Sequence, residues 1–320
     1  MNGVTGSIVD LIGGTPLLNL SRVSAECGLR GRLLVKLEYL NPGHSKKDRT
    51  AKALIDEARR DGTLQPGQPV VELTSGNTGT GLAIVCRAYG HRFIAVMSRG
   101  NSVERARMMA ALGAEVVLVD QAPGGRSGEV SGDDLALVEQ RAIDLAAGYG
   151  AFRADQFRLP GGIAAHEHGT GPEIWAQSAG TVDVFVDFIG SSGTFTGVTR
   201  YLRSVRPDVR AYAVEPAGAA VLSGESVVTP GHRIQGGGYS RTDLTYFDRS
   251  LVTDFVVVTD DEAQHAARLL ARTEGVFAGY STGANLAAAM RLLETVEAGA
   301  TVALLACDSG LKYLSTDLYD

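Results

Sequence analysis

Lysine is scarce in this sequence, and so are cysteine and tryptophan. Lys36, Lys46, Lys47, Lys52 and Lys312 are the only lysines among 30 basic residues, and Trp175 is the single tryptophan. The net charge is -6, so no basic surplus exists to attract nucleic acid, and none is expected as a partner. No stretch approaches the roughly 20 apolar residues needed to cross a bilayer, so no membrane partner is expected either. The opening Met-Asn-Gly-Val-Thr-Gly-Ser lacks the charged and apolar regions of a secretory leader. Cys27, Cys86 and Cys307 are odd in number and far apart, without a CxxC pair or a metal spacing to the histidines. The expectation is a cytoplasmic protein with reduced thiols and no metal site.

What the chain has in quantity is glycine, 40 residues clustered between apolar segments. A length of 320 residues exceeds what one core usually accommodates and predicts two lobes. Strand-like runs at 33–37, 69–73, 93–97, 115–119, 182–189, 211–214, 255–258 and 302–307 alternate with helical patterns. Those patterns lie at 48–60, 78–89, 102–112, 133–147, 196–205, 260–273 and 283–293. Alternation of this kind predicts an α/β protein with mostly parallel sheets flanked by helices. The Gly-, Pro- and Ser-rich segment 121–132 is expected to be a mobile surface loop. The long Gly-rich stretch 224–243 is expected to be a lid or binding loop.

The lysine pair stands in Asn41-Pro42-Gly43-His44-Ser45-Lys46-Lys47-Asp48-Arg49. Pro42 and Gly43 mark a turn, and Ser45 with Asp48 three positions on predicts a capping box. Ala51, Leu54, Ile55 and Ala58 then recur at helical spacing and define a buried face. At about 100° per residue, Lys47 falls near the centre of that face and Lys46 toward its edge. Burial and the positive helix N-terminus would both favour the neutral amine that attacks an aldehyde. Taken alone, the pair also fits a solvated helix start, because lysine side chains reach back to water.

Three strand–loop–helix junctions carry glycine with hydroxyls: Gly190-Ser191-Ser192-Gly193-Thr194-Phe195-Thr196-Gly197, Thr74-Ser75-Gly76-Asn77-Thr78-Gly79-Thr80-Gly81 and Gly279-Tyr280-Ser281-Thr282-Gly283-Ala284-Asn285. Backbone N–H groups and hydroxyls can converge on an anion at such a junction, although each junction alone also fits a helix start that binds nothing. The first is neither GxGxxG nor GxxxxGK[ST], which disfavours a nicotinamide dehydrogenase. Three such loops with one inward lysine fit a cofactor carrying one phosphate, one aldehyde and a ring, bound beside an amino-acid carboxylate.

On these motifs, together with Leu11-Ile12-Gly13-Gly14-Thr15-Pro16-Leu17, His168-Gly169-Thr170-Gly171-Pro172-Glu173-Ile174-Trp175 and Tyr313-Leu314-Ser315-Thr316, the sequence resembles the cysteine synthase (O-acetylserine sulfhydrylase) and cystathionine β-synthase family of pyridoxal 5'-phosphate (PLP) enzymes over nearly its whole length. The resemblance implies fold type II, as in the tryptophan synthase β subunit. It implies a small mobile lobe over residues 40–150 and a large cofactor-binding lobe of 1–39 plus 151–320, with PLP in the cleft, and a homodimer. Lys47 matches the catalytic Schiff-base lysine. Gly190, Ser191, Ser192, Gly193 and Thr194 match the phosphate loop, Asn77 the donor to the PLP 3′ oxygen, and Ser281 the hydroxyl facing the pyridine nitrogen. Thr74, Ser75, Thr78 and Gln156 match the α-carboxylate site. The implied reaction is β-replacement on O-acetylserine or a similar β-substituted alanine through an α-aminoacrylate, with Lys47 as general base. A neutral Ser281 hydroxyl would leave the ring a weaker electron sink, favouring elimination and addition over transamination.

The sequence departs from the family pattern at His44, at Arg158-Leu159-Pro160-Gly161, at Ser191-Ser192, at Gly236-Gly237-Gly238-Tyr239-Ser240-Arg241 and at Tyr280. His44, Tyr239 and Arg241 would shape a pocket for a second substrate larger or more anionic than sulfide; neutral drift is the alternative. The readings left open are a sulfur nucleophile, a different nucleophile in specialised amino-acid biosynthesis, and a lyase that eliminates sulfide from cysteine. A regulatory protein that binds a partner's C-terminal peptide is disfavoured by the intact Lys47 constellation.

Overall fold

A computed structural model describes residues 4–74, 76–124, 131–229 and 231–320. Its strands are β1 (Leu17–Asn19), β2 (Arg32–Lys36), β3 (Val70–Leu73), β4 (Phe93–Ser98), β5 (Glu115–Val119), β6 (Phe152–Arg153), β7 (Val184–Phe188), β8 (Arg210–Pro216), β9 (Asp254–Val258) and β10 (Thr301–Leu305). They form two sheets, in orders β5-β4-β3-β6 and β1-β2-β10-β7-β8-β9. Every pairing is parallel except β1 with β2. The chain divides into one unit of residues Met1–Gly13 and Asn41–Gly162 and another of Gly14–Leu40 and Ile163–Asp320. Residues 1–13 thus go with the first unit, whose boundary reaches Gly162 rather than 150.

In the first unit the central strands β3 and β4 are buried because helices cover both faces. Ala51, Ile55, Leu82, Val85 and Met109 pack on one side of the sheet, and Val138, Ala142 and Leu145 on the other. The sheet order reverses between β3 and β6: the chain leaves β3 toward β4 and returns on the opposite side at β6. Ligands of open α/β sheets bind beyond the strand C-termini at such a reversal. Thr74 follows β3 there, and Gln156 follows β6.

The second unit has the same feature between β7 and β10. Residues 190–192 follow β7, and Cys307–Gly310 lie beyond β10. Two of the sequence motifs meet elsewhere in this unit. Buried Lys36 pairs with Glu173 at 2.7 Å, and Glu173 also accepts the Gly14 N–H at 3.0 Å. A lone lysine in this interior would be costly; Glu173 and Gln177 Oε1, 2.8 Å away, offset that cost. The Gly-rich stretch 224–243 contains no helix or strand among its described residues. Arg233 anchors it, contacting Asp261 and Asp317 at 2.5 Å each. Of the expected mobile loop 121–132, residues 125–130 lie outside the described residues.

Candidate active site

Lys47 opens the helix Lys47–Asp61, whose buried face is Ala51, Leu54, Ile55 and Ala58. The expected capping box takes a different form. The N-cap position falls on Lys46, in helical conformation and without a side-chain cap. Ser45 Oγ instead accepts the Lys47 N–H at 3.3 Å, and the Asp48 carboxylate reaches past Ser45 to accept the Gly43 N–H. Asp48 therefore clamps the Pro42-Gly43 turn to the helix that carries Lys47. A Cβ on Gly43 would lie 2.5 Å from Asp48 Oδ1, which is why glycine fits there.

Lys47 Nζ donates to Gln156 Oε1 at 2.9 Å, and Thr78 Oγ1 donates to the same oxygen at 2.8 Å. Thr74 Oγ1 accepts the N–H groups of Gly76 and Gly79 at 3.0 and 2.9 Å, folding the loop onto itself. The helix Asn77–Tyr89 begins at Asn77; its N-cap residue is Gly76, so the Gly79 N–H of its first turn is taken by Thr74 from outside the helix. The first unit thus brings Lys47, Thr78 and Gln156 together, with Thr74 shaping the same loop; Ser75 lies outside the described residues. Lys46 is the N-cap of the same helix, and the other three lysines stand elsewhere. Lys36 is bound to Glu173, Lys52 pairs with Asp56 at 2.5 Å, and Lys312 is buried in the turn Gly310–Tyr313.

In the second unit Gly190, Ser191 and Ser192 link β7 to the helix Gly193–Val205. Ser192 adopts a left-handed φ of 65°, and its hydroxyl donates to the Ser191 carbonyl at 2.6 Å rather than capping the helix. Such a turn before a helix makes a concave run of N–H groups suited to an anion. The loop is packed tightly from behind. A Cβ on Gly190 would lie 2.5 Å from the Gly236 carbonyl oxygen, and one on Gly237 2.4 Å from that of Ile189. Ser281 sits in the first turn of the helix Tyr280–Glu294. One turn on, Asn285 is fully buried; its Oδ1 accepts the Phe188 N–H at 2.6 Å and its Nδ2 donates to the Leu305 carbonyl at 3.3 Å. Asn285 therefore holds the ends of β7 and β10 against the helix that carries Ser281.

A family model described as "Pyridoxal-phosphate dependent enzyme" matches residues 8–308. The chain belongs to this family. Cysteine synthase 3 of Caenorhabditis elegans is 42% identical over 97% of this chain and 88% of its own length. O-ureido-L-serine synthase of Streptomyces lavendulae is 40% identical over 98% of this chain and 92% of its own. Among solved structures, O-acetylserine sulfhydrylase isoform 3 of Entamoeba histolytica superposes with a TM-score of 0.90 at 34% identity, covering 99% and 92% of the two chains. As a pyridoxal-phosphate-dependent enzyme the protein uses pyridoxal 5'-phosphate, and its residues suit that group. The loop 190–194 presents backbone where a Cβ would collide, the first helical turn beyond it has no side-chain cap, and Lys47 offers an amine held by a neutral acceptor.

The departures from the family pattern take definite structural roles. The Tyr280 phenol is buried and donates to Asp317 in the C-terminal turn Asp317–Tyr319, and burial, then that carboxylate, pushes its pKa upward. His44 is exposed with a φ of 60°, and Arg158 is 74% exposed. Arg241 grips Asp243 through two bonds of 2.8 Å. Tyr239, Ser240 and Arg241 line a small cavity with Gly190 and Glu215. Among the described residues no helix is long and apolar enough to cross a membrane, and no group of three or more His, Cys, Asp or Glu could hold a metal.

Three buried polar residues beside these loops escaped sequence reasoning: Asn285, His166 and Glu72. Glu72 lies on β3, two residues before Thr74, fully buried. Arg153 approaches it at only 3.4 Å and bonds Glu139 more closely, at 2.8 Å. Burial therefore dominates and raises the Glu72 carboxyl well above its ordinary range, with Arg153 opposing. The folded protein then holds this proton more tightly than the unfolded chain does. The contribution of Glu72 to stability falls as pH rises above about 4.5, the unfolded value. Glu72→Gln should raise the melting temperature relative to wild type at pH 8 and leave it nearly unchanged at pH 4. A larger loss at pH 8 than at pH 4 would show instead that the charge pair with Arg153 dominates.

Proposed function

We propose that the protein catalyses β-replacement on O-acetylserine with sulfide, forming cysteine, and that Lys47 carries the cofactor through Nζ. The observation behind this reading is the Lys47–Gln156–Thr78 cluster at the reversal point of a parallel sheet. It occurs in a chain about 40% identical to a cysteine synthase and to an O-ureido-L-serine synthase. Gly190, Ser191, Ser192, Gly193 and Thr194 would hold the cofactor phosphate, Asn77 its 3′ oxygen, and Ser281 would face the ring nitrogen. Bound there, the cofactor supplies an electron sink that makes the substrate α-proton acidic and the β-substituent labile.

The protein's own groups do the rest. Thr74, Ser75, Thr78 and Gln156 would receive the amino-acid α-carboxylate, which would accept the Thr78 proton that Gln156 accepts now; the substrate amine would displace Lys47 Nζ from the cofactor and make it available as the base. Lys47 Nζ then takes the α-proton, a step for which a positioned base is worth about 10²–10⁴-fold. A cytoplasmic homodimer belongs to the same proposal.

The test supplies purified protein and PLP with O-acetylserine and sulfide and measures cysteine. Parallel reactions offer O-phosphoserine as first substrate and thiols or amine-type nucleophiles as second. Cysteine formation at a rate above every alternative is expected. Preference for a non-sulfide nucleophile would favour the second reading, that Tyr239 and Arg241 shape the second-substrate pocket beside Gly190. Sulfide release from cysteine without O-acetylserine turnover would replace both readings with a β-lyase.

A further inference from the structure

His166 is completely buried, as is Thr170, and it opens a π-helical turn, His166–Thr170, closed by a bond from the Gly171 N–H to the His166 carbonyl. Such turns insert one residue into a helix and often re-aim a side chain at a functional site. Here the imidazole is held at both nitrogens by hydroxyls. Nδ1 lies 2.8 Å from Thr170 Oγ1, and Nε2 lies 3.2 Å from Thr194 Oγ1. Thr194 is the second residue of the helix Gly193–Val205 and the last of the loop proposed to hold the cofactor phosphate. Gly197 lets the two segments approach. A Cβ there would lie 2.5 Å from the Ile163 carbonyl oxygen and 2.8 Å from the Glu167 nitrogen.

The geometry points to His166 as a positioning residue that aims the Thr194 hydroxyl proton at the cofactor phosphate. The inference rests on the loop 190–194 being the phosphate site. A neutral imidazole has one N–H, and a hydroxyl has one proton. If Thr194 donated to Nε2, it would offer a phosphate only lone pairs. An anion on the loop therefore selects the tautomer in which Nε2–H donates to Thr194, freeing the threonine proton for the phosphate. Nδ1 then accepts the proton of Thr170. The chain Thr170 to His166 to Thr194 to phosphate runs donor to acceptor in one direction, so each bond polarises the next. His166 acts only through Thr194 and takes no part in the proton transfer at Lys47.

Release of PLP from the holoenzyme into a trap, followed by loss of visible absorbance, tests this. The phosphorus NMR shift of the bound cofactor is read in parallel. His166→Asn keeps a donor only near the Nδ1 position and should speed release about tenfold, the scale of one lost hydrogen bond. His166→Gln, with an amide nitrogen that reaches the Nε2 position, should restore most of the retention. Thr194→Val should match His166→Asn, and the double variant should be no worse than Thr194→Val alone. Wild-type release from His166→Asn, or additive effects in the double variant, would overturn the inference. Should the variants not fold, nitrogen NMR of the wild-type holoenzyme decides: an Nδ1–H tautomer at His166 refutes it. Failure of the wild type to bind PLP would instead refute the proposed function, so the two failures are distinguishable.

Discussion

Lys47→Ala should yield a folded protein that lacks the visible band of a lysine–PLP imine and loses turnover by about 10²–10⁴-fold or more, the scale of a missing general base. Three features single this lysine out. It begins the helix whose buried face is Ala51, Leu54, Ile55 and Ala58, so its side chain starts on the inward side. Its Nζ donates to the amide oxygen of Gln156 at 2.9 Å, beside the Thr78 hydroxyl that bonds the same oxygen. Its main chain is anchored by Ser45, and the preceding turn by Asp48, so the amine starts from a fixed base. Lys46→Ala is the matched control: the same change of charge one residue earlier should leave the colour and turnover in place. A Lys47→Ala protein that kept the imine band and turnover would sink the assignment.

The largest effect on stability is expected at Gly283→Ala. A Cβ at this position would lie 1.9 Å from the Ala263 carbonyl oxygen and 2.8 Å from its carbon. Both atoms belong to the backbone of the helix Asp260–Glu274, which packs against the helix Tyr280–Glu294. A backbone carbonyl cannot rotate away as a side chain can, so the helices must separate. Overpacking of this kind costs about 1–3 kcal/mol and occasionally more. At about 2–4 °C per kcal/mol for a unit of this size, the melting temperature should fall by about 5 °C or more. Cofactor retention should fall with it, because the same helix carries Ser281 and Asn285. Gly148→Ala, in the helix Gly132–Tyr149 with nothing within 4 Å of the new Cβ, should be neutral or stabilising. Equal melting temperatures for the two variants would contradict the packing argument.

The sheet architecture was legible in the sequence because long apolar strands such as 182–189 and 93–97 contrast sharply with the amphipathic helices between them. The short strands β1 and β6 were not. Two or three residues carry no periodicity, and β6 forms because Pro69 and Val71 offer carbonyls to Phe152 and Ala154. Missing β6 also hid why Gln156 stands beside Thr74 and Lys47. Lys47 could be ranked above Lys46 from helical phase alone, whereas the partners of Asp48 depended on how the Pro42-Gly43 turn curls. His166 and Asn285 read as ordinary polar residues within helical or Gly-rich patterns; their roles come from contacts across 28 and 97 positions of chain. Tyr280 stood out only as a departure from the family pattern; the partner of its phenol lies in the C-terminal turn, 37 positions on.

The glycine run at 236–238 divides the long loop of the second unit into two parts with different freedom to vary. Gly237 and Gly238 are fastened to Ile189, with the Gly238 N–H bonded to its carbonyl at 3.0 Å, and Gly236 leaves no room for a side chain at Gly190. Tyr239, Ser240 and Arg241, immediately downstream, line the adjoining cavity. Under the proposed function, selection or design acting on those three positions would change which molecule is accepted while Gly237 and Gly238 keep the loop 190–194 in place, so that new chemistry at the pocket mouth need not begin with damage to its floor.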